Sequence, residues 1–223
     1  MSLYKNLSRR TLTLVCVSAL MGLTACSGSK PAASIATGME DFNGFWQPAT
    51  KVTQLLTLDG KAPPLNEPAS KMYEAFKATA AKGERWFDNE EDCLPIGMTR
   101  LVAESPFELV IDKNHVAMLF EWNRFVHLAP RKDQHAAEYD YPAYAGYTVA
   151  RMDGSNLVLD STYFSSDTLL DYSGLPHSDQ LQVVQSLALT DKDTLINTIT
   201  ITDPNAFTAP WQTQVDAQAH AGR

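Results

Sequence analysis

The chain has 223 residues, of which 44% are hydrophobic, and its formal net charge is −8 at pH 7. This length suits one domain with a substantial core and falls within the range of a single all-β barrel. The acidic balance argues against nucleic acid and anionic lipid headgroups as partners.

The first 25 residues predict an export signal. Lys5, Arg9 and Arg10 make its start positive, and residues 12–23 form a short apolar stretch that ends just before Cys26. An apolar stretch this short does not span a bilayer as a stable helix. Removing the signal takes away three basic and no acidic residues, so the remaining 15 basic and 26 acidic residues carry a net charge of −11.

The sequence Leu-Thr-Ala-Cys at residues 23–26 resembles a bacterial lipobox. The resemblance implies cleavage before Cys26, acylation of its thiol and new amino group, and attachment to a lipid bilayer through several acyl chains. Ser27 follows where an aspartate would signal inner-membrane retention, so the expected location is the periplasmic face of the outer membrane of a Gram-negative bacterium. An ordinary secretory signal is the alternative, and Arg9-Arg10 leaves open a twin-arginine export route.

Composition divides the rest of the chain into three parts. Residues 26–38 are small and polar, so we expect the lipidated Cys26 to be followed by a flexible tether. Residues 39–211 form one predicted β-barrel domain. Residues 212–223 are rich in alanine and glutamine without a clear pattern, and we expect a disordered tail there.

Residues 67–85 predict one helix. Four residues at spacings of three and four give it an apolar face: Met72, Ala75, Phe76 and Thr79. Pro68 suits the first turn, and Gly83 is placed to end the helix.

Cys93 is the only thiol left once the signal is removed and Cys26 is acylated, so no disulfide can form within the folded body. The acidic residues 90–92 beside it work against a thiolate nucleophile. We therefore predict that Cys93 is buried as a small hydrophobic residue.

A β-hairpin is predicted after Cys93, because apolar and polar residues alternate along residues 107–111 and 116–120. With Lys113 and Asn114 in the turn, three apolar pairs face each other: Ile111 with Val116, Leu109 with Met118, and Phe107 with Phe120. A two-residue turn at Trp122-Asn123 then leads to a third strand at residues 124–129.

Two further hairpins are predicted, at residues 147–152 with 156–164 and at residues 181–189 with 194–202. Gly44-Phe45-Trp46 near the start looks like the Gly-x-Trp opening of lipocalin-like barrels. The expected fold is therefore mainly β: an antiparallel meander closed or nearly closed as a lipocalin-like barrel, with one helix outside it.

From Cys93 onward the chain resembles an uncharacterised family of exported proteobacterial proteins. The resemblance rests on these motifs: Cys-Leu-Pro-Ile-Gly-Met-Thr-Arg at residues 93–100, Glu121 with Arg124, Gly146, His177-Ser178, and Asp-Pro-Asn-Ala-Phe-Thr-Ala-Pro-Trp at residues 203–211. The chain departs from the pattern at Thr99, where the family looks to have proline, and at Gln185-Ser186, where Glu-Arg is expected. The family implies the fold and the compartment but brings no established reaction.

The residue patterns argue against several kinds of chemistry. The five histidines show no metal-ligand spacing, so no metal or other cofactor is expected. The chain also lacks a Gly-x-Ser-x-Gly motif and a phosphate-binding glycine-rich loop. His127 alternates with Phe125 and is predicted to be half-buried, with its hydrogen bonds satisfied.

Six residues remain as candidates for a site. The candidate catalytic residues are Glu121, Arg124 and His177, and the candidate ligand-binding residues are Arg100, Trp122 and Asp179. Across the predicted two-residue turn, Glu121 and Arg124 form either an exposed ion pair or part of a barrel mouth. At such a mouth Arg124 would orient a carboxylate or enol oxygen, and Glu121 or His177 would move a proton.

Three functions are consistent with the sequence. The leading one is binding of a small, largely apolar molecule inside the barrel, because barrels of this size often hold one such ligand. The second is an isomerase or hydratase that uses Glu121, Arg124 and His177. The third is an envelope interaction protein with a packed interior and an exposed apolar patch.

Overall fold

The computed structural model describes residues 34–84, 93–131 and 141–220, and it confirms a mainly β chain whose antiparallel strands form a nearly closed barrel. The nine strands are β1 (Gly44–Pro48), β2 (Phe107–Ile111), β3 (His115–Phe120), β4 (Val126–Pro130), β5 (Tyr147–Asp153), β6 (Asn156–Thr162), β7 (Gln182–Asp191), β8 (Thr194–Thr202) and β9 (Trp211–Ala219). The two α-helices are α1 (Glu67–Ala81) and α2 (Met98–Glu104), and short 3₁₀ helices span Met39–Phe42 and Trp122–Arg124.

The sheet is a ring with one gap. Its strand order is β4-β3-β2-β1-β9-β8-β7-β6-β5, so β9 pairs with β1, while β4 and β5 are the two edges. Nine consecutively antiparallel strands place the two edge strands parallel to each other, and a single parallel bridge joins Arg131, just after β4, to Ala150 on β5. We call the junction between β4 and β5 the seam.

The predicted register of the first long hairpin is confirmed. In β2 and β3, Ile111 pairs with Val116, Leu109 with Met118 and Phe107 with Phe120, and all six side chains are buried. Inward-facing side chains from all nine strands belong to one hydrophobic cluster inside the barrel. Trp46 of β1 lies within it, and its indole Nε1 donates to the Phe42 carbonyl oxygen at 3.1 Å.

The end of the predicted tether is held against the barrel. The Ile35 amide donates to the Leu189 carbonyl oxygen at 2.7 Å, and the Leu189 amide donates to Ser34 Oγ at 3.0 Å. Ala36 is buried in the core cluster. The amides of Thr37 and Gly38 donate to Asp41 Oδ2 at 2.7 and 3.1 Å. The prediction of a flexible tether is therefore wrong for residues 34–38, because hydrogen bonds and burial hold them in place. Residues 26–33, and with them Cys26 and the signal, lie outside the described residues.

The prediction of a disordered tail is also wrong, because residues 211–219 form β9 between β1 and β8. Trp211, Thr213, Val215 and Ala217 alternate as its buried side chains. Threonine and alanine are only weakly apolar, so the alternation of buried and exposed residues along this strand is not evident in the sequence. Hydrogen bonds to a strand on each side stabilise β9 instead. Residues 221–223 lie outside the described residues.

The predicted helix is confirmed, but its buried face is different. Asn66 Oδ1 accepts a hydrogen bond from the Ala69 amide at 3.0 Å and caps α1. The buried residues are Ala69, Tyr73 and Phe76, whereas Met72 is 55% exposed. The face is set by the loop around residue 173, where Ser173 Oγ lies 2.6 Å from the Tyr73 hydroxyl. Arg85, the predicted last residue, lies outside the described residues.

The second helix, α2, was not predicted. Six of its seven residues are buried, so the helix has no polar face. Its sequence therefore lacks the alternation of apolar and polar residues every 3.6 positions that predicts a helix. Gly97 precedes it with φ +88°, a conformation that favours glycine. Cys93, shortly before the helix, is exposed, and the prediction that it is buried is wrong.

One polar pair lies inside the barrel. Gln185 is fully buried and Asn197 is 4% exposed, and Asn197 Nδ2 donates to Gln185 Oε1 at 2.8 Å. Gln185 Nε2 and Asn197 Oδ1 have no partner among the described residues. Exchanging N and O in both amides would still leave one donor and one acceptor unpaired. A buried unpaired polar atom costs about 1–3 kcal/mol of stability.

We predict that Gln185→Leu with Asn197→Leu raises the free energy of unfolding, because both unpaired atoms disappear together. Asn197→Leu alone should lower it by about 1–3 kcal/mol, since it leaves the buried Gln185 amide without a partner. Urea unfolding of the double and single variants measures this. A double variant that loses as much stability as the two single variants together would contradict the prediction.

Candidate functional site

The two ends of the barrel are built differently. The 3₁₀ helix Met39–Phe42 packs at one end, where Asn43 Oδ1 accepts a hydrogen bond from the Ile111 amide at 2.6 Å. The other end carries both α-helices and the longer loops, which we call the loop end. The Asn66 amide ties the start of α1 to the Ala206 carbonyl oxygen there, at 2.9 Å.

His177 lies at the loop end with both ring nitrogens bonded. Nδ1 is 2.9 Å from the Ser178 carbonyl oxygen, which can only accept, so Nδ1 carries the hydrogen. Nε2 then accepts from Thr168 Oγ1 at 2.7 Å. Burial of the ring lowers the pKa of His177 below its ordinary value. The imidazole is therefore neutral and fully bonded, an arrangement suited to holding a loop in place.

Several residues that carry the family resemblance meet around His177. A Cβ on Gly97 would lie 3.2 Å from Thr168, and one on Gly146 would lie 2.7 Å from Phe164, whose ring contacts His177 edge to face. Ser178 donates to Asp203, from its amide at 2.6 Å and from Oγ at 2.8 Å. The His-Ser loop, the Asp-Pro turn and the two glycines thus form one packed framework.

The turn that carries Glu121 and Arg124 is longer than predicted. The Phe120 amide donates to the Phe125 carbonyl oxygen at 2.8 Å, which leaves four residues in the turn, and β4 begins at Val126. The Trp122 amide donates to Ser105 Oγ at 3.0 Å and draws the turn towards α2. Glu121 and Arg124 are both exposed, and no ion pair joins them in the described part of the chain. The predicted pairing across a two-residue turn is therefore wrong.

The three candidate ligand-binding residues lie in different surroundings. Arg100 is buried in α2, where its Nε donates to Glu104 Oε1 at 3.1 Å and its guanidinium lies 5.4 Å from the Tyr172 ring centre. Trp122 is half-buried against the core, and Asp179 is exposed. Arg100 therefore supports the fold.

The six candidates do not come together. Within the described residues, no hydrogen bond, ion pair or ring contact joins His177 to Glu121 or Arg124. None of the six lines any of the three clefts described below. Their catalytic and binding roles stay predictions without a shared cavity to support them.

The largest of these clefts lies at the loop end of the seam and has a volume of about 640 Å³. We call it the seam cleft. It is lined by Pro95, Phe125, His127, Leu128, residues 141–147, Ser165 and Asp167. Two other clefts, of about 470 and 320 Å³, lie beside the Asp-Pro turn and beside residues 52–60.

Aromatic and apolar side chains make up most of the seam cleft. Phe125, Tyr141, Tyr144 and Tyr147 contribute rings to its lining. Among the described lining residues, Asp167 is the only charged side chain at neutral pH, and its Oδ2 accepts a hydrogen bond from Ser165 Oγ at 3.0 Å. The described lining thus combines a largely apolar surface with a single charged side chain.

His127 is the polar group at the inner wall of the seam cleft. It is 7% exposed, and its Nε2 lies 2.6 Å from Thr148 Oγ1, so this bond crosses the seam from β4 to β5. Thr148 Oγ1 in turn lies 2.6 Å from Ser161 Oγ. Burial lowers the pKa of His127 to about 4, so its ring is neutral at pH 7.

The second ring nitrogen of His127 is available to the cleft. Nδ1 makes no hydrogen bond within the described residues, yet it is not one of the fully enclosed atoms that lack a partner. Since His127 lines the cleft, we infer that Nδ1 faces it. The prediction of a half-buried histidine is wrong, because His127 is only 7% exposed.

No group of three or more histidine, cysteine, aspartate or glutamate residues in the described part of the chain is arranged to hold a metal ion. No helix in the described ranges is both long and apolar enough to cross a membrane.

The low pKa of His127 predicts that the free energy of unfolding decreases in acid. Below pH 6.5 the unfolded chain protonates His127, whereas the folded chain resists protonation down to about pH 4. The stability linked to neutral His127 is thus fully present above pH 6.5 and is lost as the pH falls towards 4, by about 3 kcal/mol in total.

The measurement is urea unfolding at several pH values between 4 and 7.5, for the unchanged chain and for His127→Gln. Glutamine can still bond to Thr148 but does not titrate, so its stability should fall less steeply with acid. His177 contributes with the same sign in both proteins and cancels in the comparison. Two parallel curves would show that His127 does not control this loss.

Comparisons with protein-family models, with curated proteins and with solved structures give no match for this chain. The resemblance to exported proteobacterial proteins therefore stays a prediction from the motifs, and the geometry of the seam cleft is the basis for any functional conclusion.

Proposed function

We propose that this chain binds a small, largely apolar ligand in the seam cleft, as a lipoprotein held at the periplasmic face of the outer membrane through acylated Cys26. The observation that carries the proposal is the cleft itself, whose lining is mostly aromatic and apolar. Its volume of about 640 Å³ falls within the range of small-molecule sites.

The proposed site is at the seam rather than inside the barrel. Apolar side chains from every strand meet in the interior as one buried cluster. At the loop end of the seam, by contrast, the edges β4 and β5 contribute His127, Leu128 and Tyr147 to an open cleft. The ligand would therefore bind between the two strand edges and the segment at residues 141–146.

The position of the cleft, at the end of the barrel away from Ser34 and Ile35, supports this function for an anchored protein. Ser34 and Ile35 are the first described residues, and they bond to Leu189 at the end of β7 that lies away from the loop end. The seam cleft belongs to the opposite, loop end. A tether from Cys26 would thus leave the cleft facing away from the membrane.

Binding is better supported than an isomerase or hydratase reaction. General acid–base catalysis needs titratable groups within hydrogen-bonding reach of one substrate. Glu121 and Arg124 are exposed on a turn outside the seam cleft, and both nitrogens of His177 are occupied. The cleft offers only a neutral His127 and the exposed Asp167 among its described titratable residues apart from tyrosines.

The test is titration with the neutral apolar dye N-phenyl-1-naphthylamine, followed by fluorescence. The protein is residues 26–223 with Cys26→Ser, which keeps every described residue and removes the acylation site. We expect saturable binding, and Tyr144→Ala should weaken it about fivefold, because one aromatic contact contributes about 1 kcal/mol.

Tyr172→Ala is the matched control, since Tyr172 is 53% exposed and does not line the seam cleft. It should leave dye affinity unchanged. The absence of saturable binding, or an equal loss in both tyrosine variants, would contradict a ligand site in the seam cleft.

A second candidate function, protein interaction, is favoured by one exposed apolar surface. On the outer face of β2, β3 and β4, Val110, Val126 and Leu128 are 45%, 52% and 59% exposed. The register makes them neighbours, because Ala117 lies between Val110 and Leu128. Contiguous exposed apolar surface of this kind is typical of interaction sites.

For the interaction function the expected partner is a second copy of the chain, and sedimentation velocity measures its association. Val110→Lys with Val126→Lys should convert a dimer to a monomer, whereas Leu58→Lys, at another exposed apolar residue, should not. An unchanged chain that stays monomeric at high concentration would remove self-association as a function of this face.

A further inference from the structure

We propose that the ligand of the seam cleft is an organic cation, an ammonium or quaternary ammonium group attached to an apolar body. This inference rests on the proposed function and names the chemical class of its ligand. It follows from the charges around the cleft, from the electron-rich rings that line it, and from the neutral state of its buried histidine.

The charge of the cleft is negative. Asp167 is exposed at its rim, and no lysine or arginine belongs to its described lining. Asp167 Oδ2 accepts a hydrogen bond from Ser165 Oγ, whereas Oδ1 accepts none from the described residues and can face a ligand. An anionic ligand would meet this carboxylate with no cation in the described lining to offset it, whereas a cation would be attracted.

The aromatic lining acts in the same direction. Phe125, Tyr141, Tyr144 and Tyr147 line one cleft, and the faces of such rings attract cations. The hydroxyl of Tyr147 donates to the Tyr141 carbonyl oxygen at 3.2 Å, and its ring lies 6.0 Å from that of Tyr163. At least this ring is therefore held in place before a ligand arrives.

His127 does not oppose a cation, although histidine is often positively charged. Its ring is enclosed beside Phe125, with centres 6.4 Å apart, and burial keeps it neutral at pH 7. Nδ1 can form a hydrogen bond with a polar group of the ligand. The formal charge of −8 on the whole chain further favours the approach of cations.

The experiment compares two ligands of the same shape, phenyltrimethylammonium and its neutral carbon analogue tert-butylbenzene, by displacement of N-phenyl-1-naphthylamine from residues 26–223 with Cys26→Ser. We expect the cation to bind about tenfold more tightly than the neutral analogue. Asp167→Asn should weaken the cation about three- to tenfold and leave the neutral analogue unchanged.

Asp153→Asn is the control, because it removes the same charge from an exposed residue at the other end of the barrel. It should not alter either affinity. Equal affinities for the two ligands, or tighter binding of the anion 4-tert-butylbenzoate, would overturn the inference while dye binding still supports the proposed function. Failure of the dye itself to bind would overturn the proposed function.

Discussion

The odd number of strands determines how this barrel closes more than any single contact does. Each strand runs antiparallel to its neighbour, so with nine strands the two edges run parallel where they meet. They share one backbone bridge, between Arg131 and Ala150, and the bond from His127 Nε2 to Thr148 Oγ1 crosses the junction between them. The barrel therefore closes at the seam through side chains, where every other pair of neighbouring strands forms a hydrogen-bonded ladder.

The candidate site is a consequence of that incomplete closure. Between hydrogen-bonded strands, neighbouring backbones lie about 5 Å apart and leave no room for a ligand. At the seam the ladder is missing, and the side chains of the two edges instead line a cleft of about 640 Å³. Most of the residues that carry the family resemblance lie outside its lining: the Thr168–His177 and Ser178–Asp203 bonds hold the loops, while Pro95 and Gly146 line the cleft.

The sequence predicted the hairpins because their inward residues are large and apolar, as in the pairing of Leu109 with Met118. It failed at β9, whose inward threonine and alanine do not stand out from the glutamines beside them. Without β9 the sequence did not reveal the odd number of strands or the seam between β4 and β5. The ligand was therefore expected inside the barrel rather than at the seam. Three tyrosines within residues 141–147 were the one local signal for the cleft.

His127 links the closure of the seam to ligand binding in the cleft. The same ring bonds to Thr148 across the seam and lines the cleft, and its neutral form is the one that burial favours. Any ligand that binds only when β4 and β5 are joined stabilises that closed state by an amount that grows with the ratio of its concentration to its Kd. By reciprocity, protonation of His127 disfavours both closure and binding. Stability and ligand affinity are thus expected to weaken together in acid, because one buried side chain serves both.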